Sequence, residues 1–491
     1  MSTDTATGAD GRARTVLSGA VVPTLVLAPL LAGVAVLLVH ALHLEIRMPL
    51  QLNYVEGFNA DDAARLARGA PLYGDPSRAP FVVTVYTPVY LAAAAALIRL
   101  GLPALASARL LAFLGAALSA AVIGWAGWRR TGWIAIAAAG LFFVDPLVPF
   151  WQVAARPDSA ALVLAILGIV ILDRGGGGRA DVVAALLFAG SLLAKQSSVA
   201  APVAVLAYLL GADRARARRF ALVLVAAVAV PVLTLEAASH GRFLWHVVAG
   251  NLDPFSWRRA AALGGSFWAH HPLHLALLLA LFLAGWRARR RSPVALWAVL
   301  ASLVGTTALG KGGSDQNYLL EALAAIALLA ARELPVGWLR RRALVPAACA
   351  VVLAASAVIV AATSAVEAVS VHRPVAAAQR PYRELMAWVA RAPGIVVSDD
   401  ACLLLANRQP VHIQPFVMTQ LARAGRWDQT PFLRELESGK VRLIVAQLDP
   451  PSTFASRYTP EMRKVIAGRY AVAARYDLAG RYTVLVPLDP R

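Results

Sequence analysis

The sequence predicts a polytopic α-helical membrane protein of about eleven transmembrane helices, ending in a small extracytoplasmic α/β domain. Three observations carry that prediction. Of 491 residues, 59% are hydrophobic and 15% charged, with mean hydropathy +0.63. Soluble chains sit near half apolar and a quarter charged. Apolar runs of near-spanning length recur, separated by short loops rich in arginine, and from about residue 374 the composition turns soluble.

The elements follow in chain order. Residues 1–15 are polar and read as a disordered cytoplasmic tail. A span needs about 20 apolar residues, and the candidates are 16–39, 106–127, 132–150, 158–173, 180–195, 197–211, 219–238, 272–286, 293–310, 316–332 and 343–363. The first run lacks a small-residue cleavage site and reads as an uncleaved span. Several runs are short and must be tilted, extended or sunk within the bundle.

The loop charges orient these spans. Basic clusters occur at Arg12/Arg14, Arg129/Arg130, Arg174/Arg179, Arg214–Arg219, Arg287–Arg291 and Arg340–Arg342. The positive-inside rule puts them in the cytoplasm and accounts for the formal charge of +19 without nucleic acid. All of them face inward only if the apolar segment 87–100 does not cross, and its length suits an interfacial or re-entrant helix. The N-terminus is then cytoplasmic. The stretches 40–105, 151–157, 195–197, 239–271 and 311–315, and the chain beyond 374, face outward.

Beyond 374, residues 379–391 read as an amphipathic helix, GIVVSDD as a strand and turn, and 430–438 as a helix. VRLIVAQ reads as a strand, TPEMRKVIAG as a capped helix and RYTVLVPL as a final strand. This alternation suggests an α/β domain over 374–491. Asp399 and Asp400 end a strand, as ligand contacts or as a cap for the next helix. No nucleotide-binding glycine motif is present, and Gly175–Gly178 reads as a turn. Cys349 lies in an apolar run and Cys402 in the C-terminal part, so a mutual disulfide is not expected.

The outward side collects the unusual polar residues. Asp145, Arg156 and Asp158 flank the 151–157 loop, Lys195-Gln196 ends one span, and Lys311–Tyr318 opens another, with Glu321 one turn on. Lys195 and Lys311 are the only lysines before residue 375. Lysine there either snorkels to the interface or holds a phosphate as a point charge. Asp158 with Arg156 reads as a structural ion pair or as part of an active site. Trp245, Trp257 and Trp268 fit an aromatic belt. His270, His271 and His274 contain an i, i+4 pair, but no third metal ligand is set by spacing.

The loop 40–105 carries the densest pattern: Tyr54-x-Glu56-Gly57, a helical stretch with Asp61 and Asp62, Gly69-x-Pro71-Leu72-Tyr73-x-Asp75, and Tyr86-x-Pro88. With Arg156-Pro157-Asp158, Lys195-Gln196 and Gly313-Ser314-x-Gln316-Asn317-Tyr318-x-x-Glu321, it resembles the GT-C fold membrane glycosyltransferases. The similar bacterial group is that of protein O-mannosyltransferases and lipid A aminoarabinose transferases. The resemblance covers most of the chain, through short motifs.

The resemblance implies a bacterial inner-membrane enzyme that moves a hexosyl or pentosyl group from a polyprenyl-phosphate donor to an acceptor on the outer face, among membrane lipids. Its outer loop implies Glu56 as general base, with Asp158 as the second catalytic carboxylate. Arg156, Lys195, Lys311, Asn317, Tyr54 and Tyr86 become substrate- or phosphate-binding candidates. Asp61, Asp62, Gln196 and Glu321 are secondary ones. The family often has an Asp-Glu pair where this chain has Val55-Glu56, a departure that puts a metal-binding or helper role for a neighbouring acid in doubt; a divalent metal is the only candidate cofactor. A membrane transporter and a non-catalytic envelope scaffold are the alternatives. A transporter would gather charges near the midplane between repeated halves, and no repeat is visible.

Overall fold

The structure, a computed structural model, describes residues 46, 48–145, 147–175, 177–287, 292–334, 379–478 and 481–488. The expected tail 1–15, the first and last spans (16–39 and 343–363), Cys349 and the arginines at 12, 14, 289–291 and 340–342 lie outside the described residues.

The bundle is built on two helices. One, α3 (Ala104–Thr131), is largely apolar apart from Arg109 and the terminal Arg129 and Arg130, and reaches about 42 Å at 1.5 Å per residue. Small residues let neighbours approach it closely, as helix packing in lipid requires. A Cβ on Gly115 would lie 2.5 Å from the backbone carbon of Ser159, and one on Gly127 would lie 2.4 Å from the carbonyl oxygen of Ala331. Thr131 also donates to Ala331 O at 2.5 Å. The second helix, α13 (Leu320–Glu333), is apolar on nearly every face and accordingly sits in the centre of the bundle.

Around them pack α4 (Trp133–Val144), α5 (Leu147–Val153), α6 (Asp158–Arg174), α7 (Gly178–Ala194), α8 (Ala200–Ala212), α9 (Arg214–Ala238), α10 (Trp257–His270), α11 (Pro272–Arg287) and α12 (Pro293–Ala308). Two described helices, α3 and α9, are long and apolar enough to span a membrane alone. The pair α10–α11 makes a third span if its 90° bend is crossed as one unit. The run 132–150, expected as a single span, is two helices broken at Asp145. Leu222, Val225, Val230 and Leu233 of α9 are exposed, as a lipid-facing helix demands.

The aromatic-belt expectation divides. Trp257 is exposed, Trp268 donates to Thr306 Oγ1 at 3.0 Å, and Trp245 packs with residues of the outer loop and the C-terminal part. Before the bundle come α1 (Glu56–Ala67) and α2 (Pro88–Arg99). At 12 residues, about 18 Å, α2 is too short to cross. It lies against α1 and α3, with Tyr90 donating to Ala108 O at 2.8 Å.

The C-terminal part contains α14 (Gln379–Arg391), β1 (Ile395–Ser398), α15 (Ala401–Ala406), α16 (Pro415–Arg423), α17 (Thr430–Glu437), β2 (Val441–Ala446), α18 (Pro451–Arg457), α19 (Pro460–Arg469), β3 (Tyr470–Asp477) and β4 (Arg481–Pro487). The sheet order is β1-β2-β4-β3, parallel between β1 and β2 and antiparallel thereafter. Strand β3 and helices α16 and α18 were not expected. β3 carries small and charged residues and is half exposed, so its hydrophobic alternation is weak.

This part shares its cores with the 40–105 loop. Met48, Leu50 and Phe58 pack with Leu385, Val396, Leu443 and Tyr482, while Phe81, Val83 and Val85 pack with Ile413, Met418 and Trp427. Phe81 exchanges backbone hydrogen bonds with the 412–414 segment, at 2.7 and 3.0 Å. The close approach of α1 to α15 leaves no room for a Cβ on Gly57, which would meet Cys402 N at 2.5 Å.

Candidate active site

Glu56 opens α1, where the positive helix end favours an acid. Its carboxylate is fully buried and accepts from five donors. Arg109 of α3 binds it bidentately, Nε to Oε1 and Nη2 to Oε2, both at 3.0 Å. The backbone N–H groups of Leu52 (2.5 Å), Asn53 (3.1 Å) and Ala155 (2.6 Å) complete the shell. Arg109 also donates to Met48 O (2.5 Å) and Leu50 O (2.9 Å). The pair therefore ties the outer loop, α3 and the 151–157 loop together. Arg109 stands inside an apolar run and belongs to none of the motifs; a lone arginine there is itself a signal.

Asp158, at the start of α6, lies in a separate cluster. Its Oδ1 accepts from Lys195 Nζ and Asn317 Nδ2, each at 2.5 Å, and its Oδ2 from Arg156 Nε at 3.3 Å. Arg156 also donates to Asn53 Oδ1 (3.1 Å) and to the Tyr86 hydroxyl (3.0 Å), and stands 5.2 Å from the Trp151 ring. Lys195 follows the end of α7, where the helix dipole favours a cation, and its ammonium lies 4.5 Å from the Tyr318 ring. A small cavity of about 30 Å³ opens beside the cluster, lined by Asp158, Lys195, Asn317, Tyr318 and Glu321. Glu321 accepts from Trp297 Nε1 at 2.7 Å. Gln196 donates to Val85 O at 2.8 Å. Gln196 Oε1 and Asn317 Oδ1 are buried without a protein partner, as befits atoms that meet solvent or ligand.

Four predicted site residues lie elsewhere. Lys311 points to Asn251 Oδ1 (3.2 Å) and Asp253 (3.4 Å) rather than to the cluster. Equal depth in the sequence did not mean one site, although Asn251 and Gln196 both donate to Val85 O at 2.8 Å. The Tyr54 hydroxyl accepts from Phe416 N–H at 2.9 Å and its ring lies 4.6 Å from the Arg457 guanidinium, so it belongs to the contact with the C-terminal part. Burial raises its hydroxyl pKa strongly. Asp61 and Asp62 both bind Arg65, which reaches Thr84 and Pro71 O, so they brace the 71–84 stretch. Burial, only partly offset by Arg65, pushes Asp61 up to about 6.

Asp400 caps α15 through Cys402 N at 2.9 Å, and its other oxygen takes Tyr482 Oη–H at 2.8 Å. Asp399 takes Gln447 N–H, Arg457 and the Tyr458 hydroxyl at 2.9 to 3.0 Å. Both are therefore structural ligands of the backbone and neighbouring side chains. His271 and His274 approach Asp145 at the ion-pair distances of 3.3 and 3.9 Å. Among the described residues no group of three or more His, Cys, Asp or Glu is arranged to hold a metal. Of the two carboxylates at the central cavity, Asp158 is already met by two cations and Glu321 by the Trp297 indole, so these residues do not fit a divalent ion.

The architecture matches solved structures over nearly its whole length. ArnT from Cupriavidus metallidurans, solved bound to undecaprenyl phosphate, superposes with a TM-score of 0.63 at 16% identity, covering 93% of this chain and 97% of that one. The chain has a GT-C fold. The Archaeoglobus fulgidus oligosaccharyltransferase, solved in complex with Zn and sulfate, shares the GT-C fold at TM-score 0.55 and 14% identity, covering 94% of this chain and 74% of that one. AglB from the same organism, solved with an inhibitory peptide and a dolichol-phosphate, gives 0.51 at 13% identity, again covering 94% and 74%. No protein-family model and no curated protein matches the sequence. The GT-C fold is that of polytopic helical membrane proteins, as composition and apolar runs predicted.

Proposed function

We propose that this protein is a glycosyltransferase of the bacterial inner membrane that moves a sugar from a polyprenyl-phosphate donor to an acceptor on the outer face. One observation carries the reading. Arg156 and Lys195 converge on a single carboxylate, Asp158, beside buried polar atoms that lack protein partners. The ArnT structure of the same fold holds undecaprenyl phosphate.

A sugar phosphate needs fixed cations for the phosphate charge and a base for the acceptor hydroxyl. Arg156 and Lys195 supply the cations; the Tyr86 hydroxyl holds Arg156, and Asn317 donates to Asp158. Before the donor arrives they are neutralised by Asp158. Donor phosphate draws them away and frees Asp158 as the base. The acceptor oxygen then bonds to the anomeric carbon while the bond from that carbon to phosphate oxygen breaks. The bond electrons leave on the phosphate, against Arg156 and Lys195, and the acceptor proton passes to Asp158. Glu56 takes a different part from that of the sequence expectation. A base needs a lone pair open to its proton, and both Glu56 oxygens are saturated by five donors in a fully buried position. With Arg109 it holds the outer loop on the bundle.

The test is a transfer assay in membrane vesicles with radiolabelled polyprenyl-phosphate sugars. Asp158→Asn is expected to lower kcat, measured per folded enzyme, by about 100-fold or more, the range of general-base loss. Lys195→Ala is expected to weaken donor binding first. A folded Glu56→Gln protein that loses activity as completely as Asp158→Asn would return the base to Glu56. Absence of transfer by wild type from every polyprenyl-phosphate sugar would overturn the reading itself.

A further inference from the structure

A second cavity, of about 310 Å³, opens where three segments distant in sequence meet: Asp75–Ser77 of the outer loop, Gly241–Trp245 after α9, and Arg426–Asp428 after α16. Small-molecule sites begin at about 300 Å³. Each of its arginines follows a glycine in the left-handed region, Gly241 at φ 82° and Gly425 at φ 65°, so tight turns present Arg242 and Arg426 at the rim. Trp427 is anchored by its indole N–H to Pro76 O at 2.9 Å and by edge contact with Phe81. Trp245 forms another wall. Asp75 and Arg242 face one another at 3.6 Å with side chains 37% and 43% exposed. Hydrogen bonds from Ser77 hold Asp75, and bonds from Thr430 hold Asp428, below the usual carboxylate range, so both are charged.

This lining selects a ligand class. Two guanidiniums and two carboxylates balance, so neither an anion nor a cation is favoured overall. Paired donors and acceptors fit vicinal hydroxyls, and an indole wall fits an apolar ring face. We propose that this groove is a carbohydrate subsite holding a neutral sugar ring of a glycan acceptor, with Trp245 against the ring and Arg242, Arg426, Asp75 and Asp428 bonding its hydroxyls. The acceptor assignment rests on the glycosyltransferase reading. The groove is linked to the Asp158 cluster through the outer loop. Trp245 precedes His246, whose Nδ1 accepts from Thr84 N–H at 3.0 Å, and two residues on, Tyr86 accepts from Arg156.

The test is direct binding to the full-length protein in nanodiscs, without donor, by saturation-transfer NMR and tryptophan fluorescence. Mannobiose, cellobiose, galactobiose and arabinobiose are the probes, with glucuronic acid and mannose 6-phosphate as charged comparisons. At least one neutral disaccharide is expected to bind saturably. The rim variant Arg242→Ala/Arg426→Ala should weaken it about tenfold or more at an unchanged melting temperature, and Trp245→Phe should keep binding better than Trp245→Ala. Failure of all four neutral sugars to bind, or equal binding by the rim variant, overturns the subsite. Tighter binding of the charged sugars, improved further by Asp428→Asn, overturns its neutral specificity. Transfer without binding would reject the groove and leave the enzymatic reading standing; binding without transfer would do the reverse.

Discussion

Arg109 and Asp158 show how partners decide the part a charged residue plays. Arg109 is buried with a bidentate carboxylate and two backbone carbonyls, so these four donor contacts serve the fold. Removing one partner of such a pair costs about 3–5 kcal/mol, since the other charge is left buried. Arg109→Met is therefore expected to lower the melting temperature in detergent steeply and to reduce folded yield, as measured by fluorescence-detected size exclusion. Retention of the wild-type melting temperature would show that the pair does not hold the loop.

A second residue-scale prediction concerns His246, which is fully buried and joins Thr84 N–H to Gly74 O. Its Nδ1 accepts and its Nε2 donates, so the ring is neutral. Burial is the main cause that lowers its pKa from 6.5 to about 4. The unfolded chain then binds more protons between pH 6.5 and 4. Stability from the neutral ring is present above about 6.5 and lost as pH falls towards 4, by about 3 kcal/mol in all. Thermal unfolding followed across that window should show the loss in wild type and a flatter profile in His246→Gln. Asp61, pushed up to about 6, acts in the opposite sense between about 4 and 6, so the comparison with the variant isolates the histidine term.

At the scale of elements, the contact between α3 and α6 places the chemistry. Gly115 meets the backbone of Ser159, the residue after Asp158, and a Cβ at 2.5 Å can be relieved only by moving α6. Gly115→Val is expected to lower transfer more than tenfold without touching the cluster, and overpacking of this kind costs about 1–3 kcal/mol. A variant that melts as wild type and transfers normally would show that α6 has slack. The helices themselves were legible in the sequence, because apolar runs and their arginine-rich ends are local features. The break at Asp145 was not. The segments on either side of the break are apolar, and it is packing that decides where a continuous run turns. Strand β3 was missed for a related reason: as an edge strand it buries little and shows little alternation.

For the whole molecule, the proposed orientation puts the C-terminal part outside and the arginine-rich loops inside. Cysteines introduced at Ser438 and at Arg218 test it with a membrane-impermeant maleimide on intact cells. Ser438→Cys should label from outside and Arg218→Cys only after permeabilisation; the reverse pattern would invert the topology. Native Cys402 is 1% exposed.

The chain by itself determined a helical membrane bundle, the strands β1, β2 and β4, and the stretches that carry the polar motifs. Periodicity and composition are properties of neighbouring residues. Only the tertiary structure decided what meets each acid. Glu56 stands in the densest motif, yet donors 53 and 99 residues away in sequence fill its oxygens. Asp158 gathers Lys195 and Asn317 from other helices into a cluster beside a cavity. Whether a carboxylate pins a loop or faces a substrate depends on what meets its lone pairs, and those groups are brought there by the fold.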